Sequence, residues 1–184
     1  MNVSVRAYQP SDETAWTRCR TLAFLDTAYF DDVTPAKPSY EGASIELVAH
    51  DGDGFVGLLD ATIDGQTATI ETIATHPDHQ RSGVGDALLT RTRRLLPSAV
   101  TVLDAWTRDD LGANNWYRTR GFEESFRYLH VYASGNELAE AVAATRHELT
   151  AVAGFFHAHI EAEAELRQFF HRLPVCRQYA LRLR

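Results

Sequence analysis

Ile70-Glu-Thr-Ile-Ala-Thr-His-Pro-Asp-His-Gln-Arg-Ser-Gly-Val-Gly-Asp-Ala-Leu-Leu89 passes from a Thr- and Ile-rich run typical of a buried strand, through a turn with Pro and Gly, into the start of a helix. The first N–H groups of a helix have no intrahelical acceptor and sit at the positive end of its dipole, so this geometry attracts a diphosphate. Gly83 and Gly85 let such a group approach the backbone closely. Two commoner phosphate loops are excluded by residue type. A dinucleotide fingerprint requires a third glycine near Leu88, and a Walker loop requires Lys-Ser or Lys-Thr where Gly85-Asp86 stands.

Upstream, Val3 to Tyr8 alternates like a strand, and Ser11 and Asp12 offer caps for an amphipathic helix running to about Asp26. An irregular connection with Pro35 and Pro38 leads to strands near Ser44 to His50 and Phe55 to Ile63, joined by the turn Asp51-Gly-Asp-Gly54. A second turn at Asp64-Gly65 opens the strand Thr67 to Thr75, which predicts three antiparallel strands in a row. Downstream, helical spacing covers Gly83 to Leu96 and stops at Pro97. Val100 to Trp106 reads as a strand, Asp109 to Thr119 as a short helix and Gly121 to Tyr132 as a strand. An initial βα followed by ββαβαβ is an α+β pattern built on one mixed, mostly antiparallel sheet flanked by helices.

Beyond Asn136, Leu138, Val142, Thr145, Leu149, Val152 and Phe156 recur at steps of four and three, which predicts helix from Glu137 to Arg172, stopped by Pro174 before a final strand near Val175 to Leu183. One unbroken helix here would span about 54 Å at ~1.5 Å per residue and could not join two strands only ~5 Å apart. The expectation is therefore a helical hairpin broken near Gly154, a 136–173 insertion before the last strand of a single 1–184 domain, with strand exchange in a homodimer as the alternative.

Bulk properties narrow the function. The length of 184 residues, with 45% hydrophobic against 23% charged, is that of one globular domain. No leader and no membrane-length apolar run is evident, so the expectation is a soluble, cytoplasmic protein without membrane association. A net charge of −7 argues against nucleic-acid binding and mildly favours cationic acceptors. Cys19 and Cys176 form neither a disulfide framework nor a metal knot, and Cys19 shares helical spacing with Trp16, Leu22 and Ala23, as a buried small hydrophobe does. His157 and His159 are too close along a helix to share a face, so no metal site is expected.

Gln80-Arg-Ser-Gly-Val-Gly85 resembles the Gln/Arg-x-x-Gly-x-Gly/Ala signature of the GCN5-related N-acetyltransferases (GNAT), and Ala113-Asn-Asn-Trp-Tyr-Arg-Thr-Arg-Gly-Phe122 resembles that family's second hallmark, a short helix with a Tyr that closes on Gly-Phe. With the order of strands and helices, the resemblance covers about residues 3 to 132. Leu111 departs from it, standing where many members carry Asn. The resemblance implies a GNAT fold and transfer of acetyl from acetyl-CoA (acetyl-coenzyme A) to an amine of a small molecule or peptide, by direct attack through a tetrahedral intermediate. It implies that Gln80, Arg81, Ser82, Gly83, Val84, Gly85 and Asp86 hold the pyrophosphate and that the end of the Thr67–Thr75 strand splays from its neighbour. Ile73 N–H would then face the thioester carbonyl, Thr75 would bond the pantetheine arm and Asn114 would contact the cofactor.

An alkylammonium with a pKa near ~10.4 must lose a proton before it attacks. Residues two apart on a strand point the same way, so Glu71 is expected on the face of Thr69 and Ile73, as base or amine anchor, with a merely exposed sheet-face glutamate as the other reading. By resemblance Tyr117 protonates the departing thiolate; the alternative is a Tyr that only packs. His76 and His79 are read first as surface turn residues. A catalytically silent cofactor-binding module is the competing function.

Overall fold

A computed structural model describes residues 3–52, 54–138 and 153–183. Its strands are β1 Val3–Ala7, β2 Ala43–Asp51, β3 Gly54–Asp64, β4 Thr67–Thr75, β5 Val102–Thr107, β6 Glu123–Ser134, β7 Ala153–Ala158 and β8 Val175–Arg182, in the sheet order β1-β2-β3-β4-β5-β8-β6-β7. Every neighbouring pair is antiparallel except β4 and β5, which are parallel. Helices α1 Glu13–Leu25, α2 Val84–Leu95 and α3 Leu111–Thr119 complete the pattern expected for residues 3 to 132.

Two layers of apolar side chains fix the helices. On one face Leu47, Leu59 and Leu103 of the sheet close over Val84 and Leu88 of α2, and Gly57 of β3 permits the close approach: a methyl there would meet Val84 Cγ1 at 2.6 Å and the Ala74 carbonyl oxygen at 2.9 Å. On the other face Trp16 and Cys19 of α1 pack on Val48, Leu58 and Ala74. The spacing predicted this burial of Cys19, and burial pushes its thiol up to about 12, as suits a packing residue. At the entry to α1, Asp12 accepts two hydrogen bonds from Arg6, at 2.6 and 2.7 Å, and one from Gln9 N–H at 2.8 Å.

The connection between α1 and β2 is tied down by Lys37, the single lysine of the sequence. Its ammonium lies 2.6 Å from Glu46 and 3.1 Å from Asp60, with the rings of Tyr8, Tyr40 and Trp16 at 4.8, 4.9 and 5.5 Å. Burial alone would favour the neutral amine, but the two carboxylates outweigh it and raise the Lys37 pKa. Burial likewise raises Asp60, to about 6, and Lys37 opposes that rise.

The helical hairpin expected near Gly154 is not what the chain forms there. Residues 153–158 are strand β7, paired antiparallel along Leu129–Ser134 of β6, and a 3₁₀ turn, Ile160–Ala162, and a short α-turn, Glu163–Leu166, follow before β8. The edge of β6 supplies the reason: its backbone donors and acceptors need partners, and Gly154-Phe-Phe-His157 alternates across a sheet, with Phe156 packed on Leu129 and Val131 and Phe155 on the opposite face. Val142, Thr145, Leu149 and Val152, which suggested the helix, lie outside the described residues.

Candidate active site

The β4–β5 ladder runs from Thr67↔Val102 to Ile70↔Ala105 and stops, while β5 continues two residues further against β8. The two parallel strands therefore part from Glu71 onward. A bulge accompanies the separation: on β3, Asp60 pairs with Thr72 and Ala61 with Ile70, which leaves Glu71 as the extra residue. A bulge reverses the alternation. Ala68 and Ile70 belong to the core on the α2 side and Ile73 packs against that same core, whereas Ala74 belongs to the α1 side. The expectation that Glu71 shares the face of Ile73 is thus corrected. Glu71 is exposed, and Thr62 donates a 2.7 Å hydrogen bond to its carboxylate.

The gap opens into a cleft of about 740 Å³. Glu71, Thr72, Ile73 and Thr75 of β4 line one wall, and Gln80, Arg81, Gly83, Val84, Gly85 and Asp86 form the part around the start of α2. His76 and Pro77 initiate a 3₁₀ turn in which His76 Nδ1 accepts a 3.3 Å hydrogen bond from Asp78 N–H. Arg81 and Gly83 both adopt left-handed φ angles, 59° and 87°, which turn the chain sharply into α2. No atom would obstruct a Cβ at Gly83. At Gly85 a methyl would meet the Trp116 ring at 3.3 Å, so this second glycine serves the packing of α2 on α3. Ser82 donates its hydroxyl to His79 O within the turn, does not line the cleft, and so contributes there only through its backbone. Asp86 is paired with Arg120, which also lies over the Trp116 ring at 4.4 Å.

Tyr117 stands on the α3 wall, 5% exposed, stacked on Tyr179 at 5.5 Å and set edge-on to Phe122 at 5.2 Å. Burial, reinforced by Tyr29, raises its phenol above the ordinary tyrosine value, so it carries its proton throughout the neutral range. Asn114 differs from expectation. Its amide donates to Arg108 O at 3.1 Å and Asp110 O at 2.6 Å, and it accepts from Tyr179 OH at 2.8 Å. With its polar atoms engaged and no share of the cleft lining, it braces α3 against β8. One part of the cleft was not foreseen: Arg20, Phe24, Asp26 and Tyr29, on and after α1, also line it, and Trp106 borders it on β5. These positions carry no local motif, and only the fold assembles them.

Comparison with known proteins bears on this geometry. The profile of the Acetyltransferase (GNAT) domain family matches residues 43–124, the segment that holds β4, the turn, α2 and α3. An N-acetyltransferase from Staphylococcus aureus Mu50 superposes on this chain with a TM-score of 0.64 at 13% identity, covering 100% of each chain. The ribosomal-protein-S18-alanine N-acetyltransferase from Escherichia coli gives 0.59 at 15% identity, over 98% of this chain and 94% of that one. PaiA N-acetyltransferase from Thermoplasma acidophilum, solved in complex with coenzyme A, gives 0.59 at 12%, over 68% and 92%. At these identities the likeness is one of fold, and the GNAT fold accounts for the β1–β6 order and for the last strand entering between β5 and β6. No curated protein matches the sequence. Among the described residues no helix is long and apolar enough to cross a membrane, and no group of three or more His, Cys, Asp or Glu could hold a metal ion.

Proposed function

We propose that the chain is an N-acetyltransferase that uses acetyl-CoA and an amine acceptor. The observation that carries this reading is the parting of β4 and β5 directly beside the N-terminus of α2, with Tyr117 on the facing wall of the same cleft. The free N–H groups of the first turn of α2, preceded by two left-handed residues, suit a pyrophosphate, and the open side of Gly83 leaves room for it. The sleeve between the separated strands suits an extended arm, with Ile73 and Thr75 along it. Bound acetyl-CoA supplies the activated acyl carbon and a thiolate leaving group.

The residues then divide the work. Glu71, on a bulge at the mouth of the gap, takes the proton from the incoming ammonium, or hands it to a water, so that the amine lone pair becomes free. A main-chain N–H at Ile73, on the stretch of β4 that β5 no longer pairs, would steady charge as it builds on the acyl oxygen. Tyr117 keeps its phenolic proton until a thiolate needs it. The proton lost by the amine leaves through Glu71, and the proton gained by sulfur comes from Tyr117.

Purified protein is expected to melt several degrees higher with saturating acetyl-CoA and to release thiol when an amine is added. Absence of any thermal shift would sink this reading. Binding without thiol release across a broad panel of amines and peptides would instead mark a silent cofactor-binding module, a reading favoured by Leu111, 76% exposed at the start of α3.

A further inference from the structure

The α1-side face of the sheet carries a row of rings that the transfer chemistry leaves unused. Trp106 of β5 lies 5.6 Å from Tyr128 and 6.1 Å from Phe126 on β6, centroid to centroid. Tyr128 lies 4.8 Å from His157 of β7, and His157 5.1 Å from Phe155. Trp106, Phe126 and Phe155 are 41%, 53% and 50% exposed, so the row presents ring surface to solvent. Scattered exposed apolar residues are ordinary, whereas a contiguous row on one face is a recognition feature.

One end of the row enters the cleft. Trp106 belongs both to the row and to the cleft wall, just past the point where β4 and β5 part, and Glu71 lies across the gap. Asp104, two residues before Trp106 on the same strand face, is 6% exposed; Gln178 donates to one of its carboxylate oxygens at 2.6 Å, and the other finds no partner among the described residues. An amine seated at Glu71 would thus leave the cleft beside a buried carboxylate and over an indole.

Resting on the acetyl-transfer reading, we propose that the acceptor is a primary amine bearing an aromatic or extended apolar body, which lies along the rings from Trp106 toward Phe155 while its nitrogen sits at Glu71. Aromatic faces recognise such a body by offset or edge-on contact and by exclusion of water. The amine end is fixed by charge and the far end by ring contact, so recognition and reaction fall to different parts of one molecule.

The test is thiol release at saturating acetyl-CoA from propylamine, phenethylamine and tryptamine, on the unaltered chain and on Trp106→Ala and Trp106→Gln. kcat/KM is expected to rise at least tenfold from propylamine to tryptamine, and each variant to lose at least fivefold more with tryptamine than with propylamine. Equal kcat/KM for the three amines, or equal losses in the variants, overturns the proposal and leaves acetyl transfer standing. No thiol release with any of the three overturns it too, and a missing thermal shift with acetyl-CoA would then bring down the transfer reading as well. A dimer in sedimentation that Phe155→Asp splits, with amine preference unmoved, would assign the row to a second copy of the chain and overturn the proposal.

Discussion

In the proposed reaction Glu71 and Tyr117 handle two different protons, one leaving the amine and one reaching sulfur, and their variants should fail differently. An alkylammonium near pKa ~10.4 frees about ten times more neutral amine for each unit of rising pH. Glu71→Gln is therefore expected to lower turnover at least tenfold at pH 7 and to recover as the pH approaches 10, because the acceptor then deprotonates without help; a loss constant across that range would assign Glu71 to anchoring alone. Tyr117→Phe should cost about 10²-fold or more at every pH, the usual worth of a general acid. Since burial raises the phenol, the unaltered protein should show no descending limb from Tyr117 up to pH 10. Residue identity made both candidates legible, through a motif position for one and a strand position for the other. The face on which Glu71 lies was not legible, because a bulge depends on how β3 and β4 pair and leaves no mark within either strand.

At the level of elements, the strand-turn-helix from Thr67 to Leu95 is the best-announced part of the molecule, since Pro77, Gly83 and Gly85 act locally. Gly83→Ala forces a methyl into a left-handed conformation at a cost of about 1–2 kcal/mol and should blunt the thermal shift given by acetyl-CoA more than it lowers the melting temperature of the free protein. Gly57→Ala should do the reverse. It pushes α2 off the sheet, costs about 1–3 kcal/mol in denaturant titration, and reaches the cofactor only indirectly. β7 was hidden in the sequence because its partner, the edge of β6, is a non-local requirement, while the apolar repeat nearby imitates a helix. Asn114 misled for a related reason: an amide at a motif position looks free until Tyr179, 65 residues on, is found bonded to it.

For the molecule as a whole, two buried polar sites offer tests of stability. His130, stacked on His157 of the ring row at 5.0 Å, is lowered to about 4 by burial and by Arg108. Its neutral form is favoured in the fold, so its contribution is complete above the ordinary value near ~6.5 and is lost as the pH falls toward 4, a change of roughly 3 kcal/mol at most. The stability of His130→Phe relative to the unaltered chain should therefore rise through that window, as urea midpoints at pH 7, 5.5 and 4.5 would show. Lys37→Met leaves Asp60 and Glu46 without their counter-ion in the interior and is expected to cost about 3–5 kcal/mol, read from the same titrations.

The ammonium of Lys37 has a further consequence. Its side chain is 4% exposed and ringed by aromatic faces and carboxylates, in a sequence with no other lysine. In the proposed acetyl transfer, the thioester would thus meet almost no nucleophilic side-chain amine on the protein itself. Prolonged incubation with acyl donors, or with a succinimidyl ester, should leave Lys37 unmodified by mass spectrometry until the chain is unfolded, so stray acylation would fall on other proteins before it fell on this one.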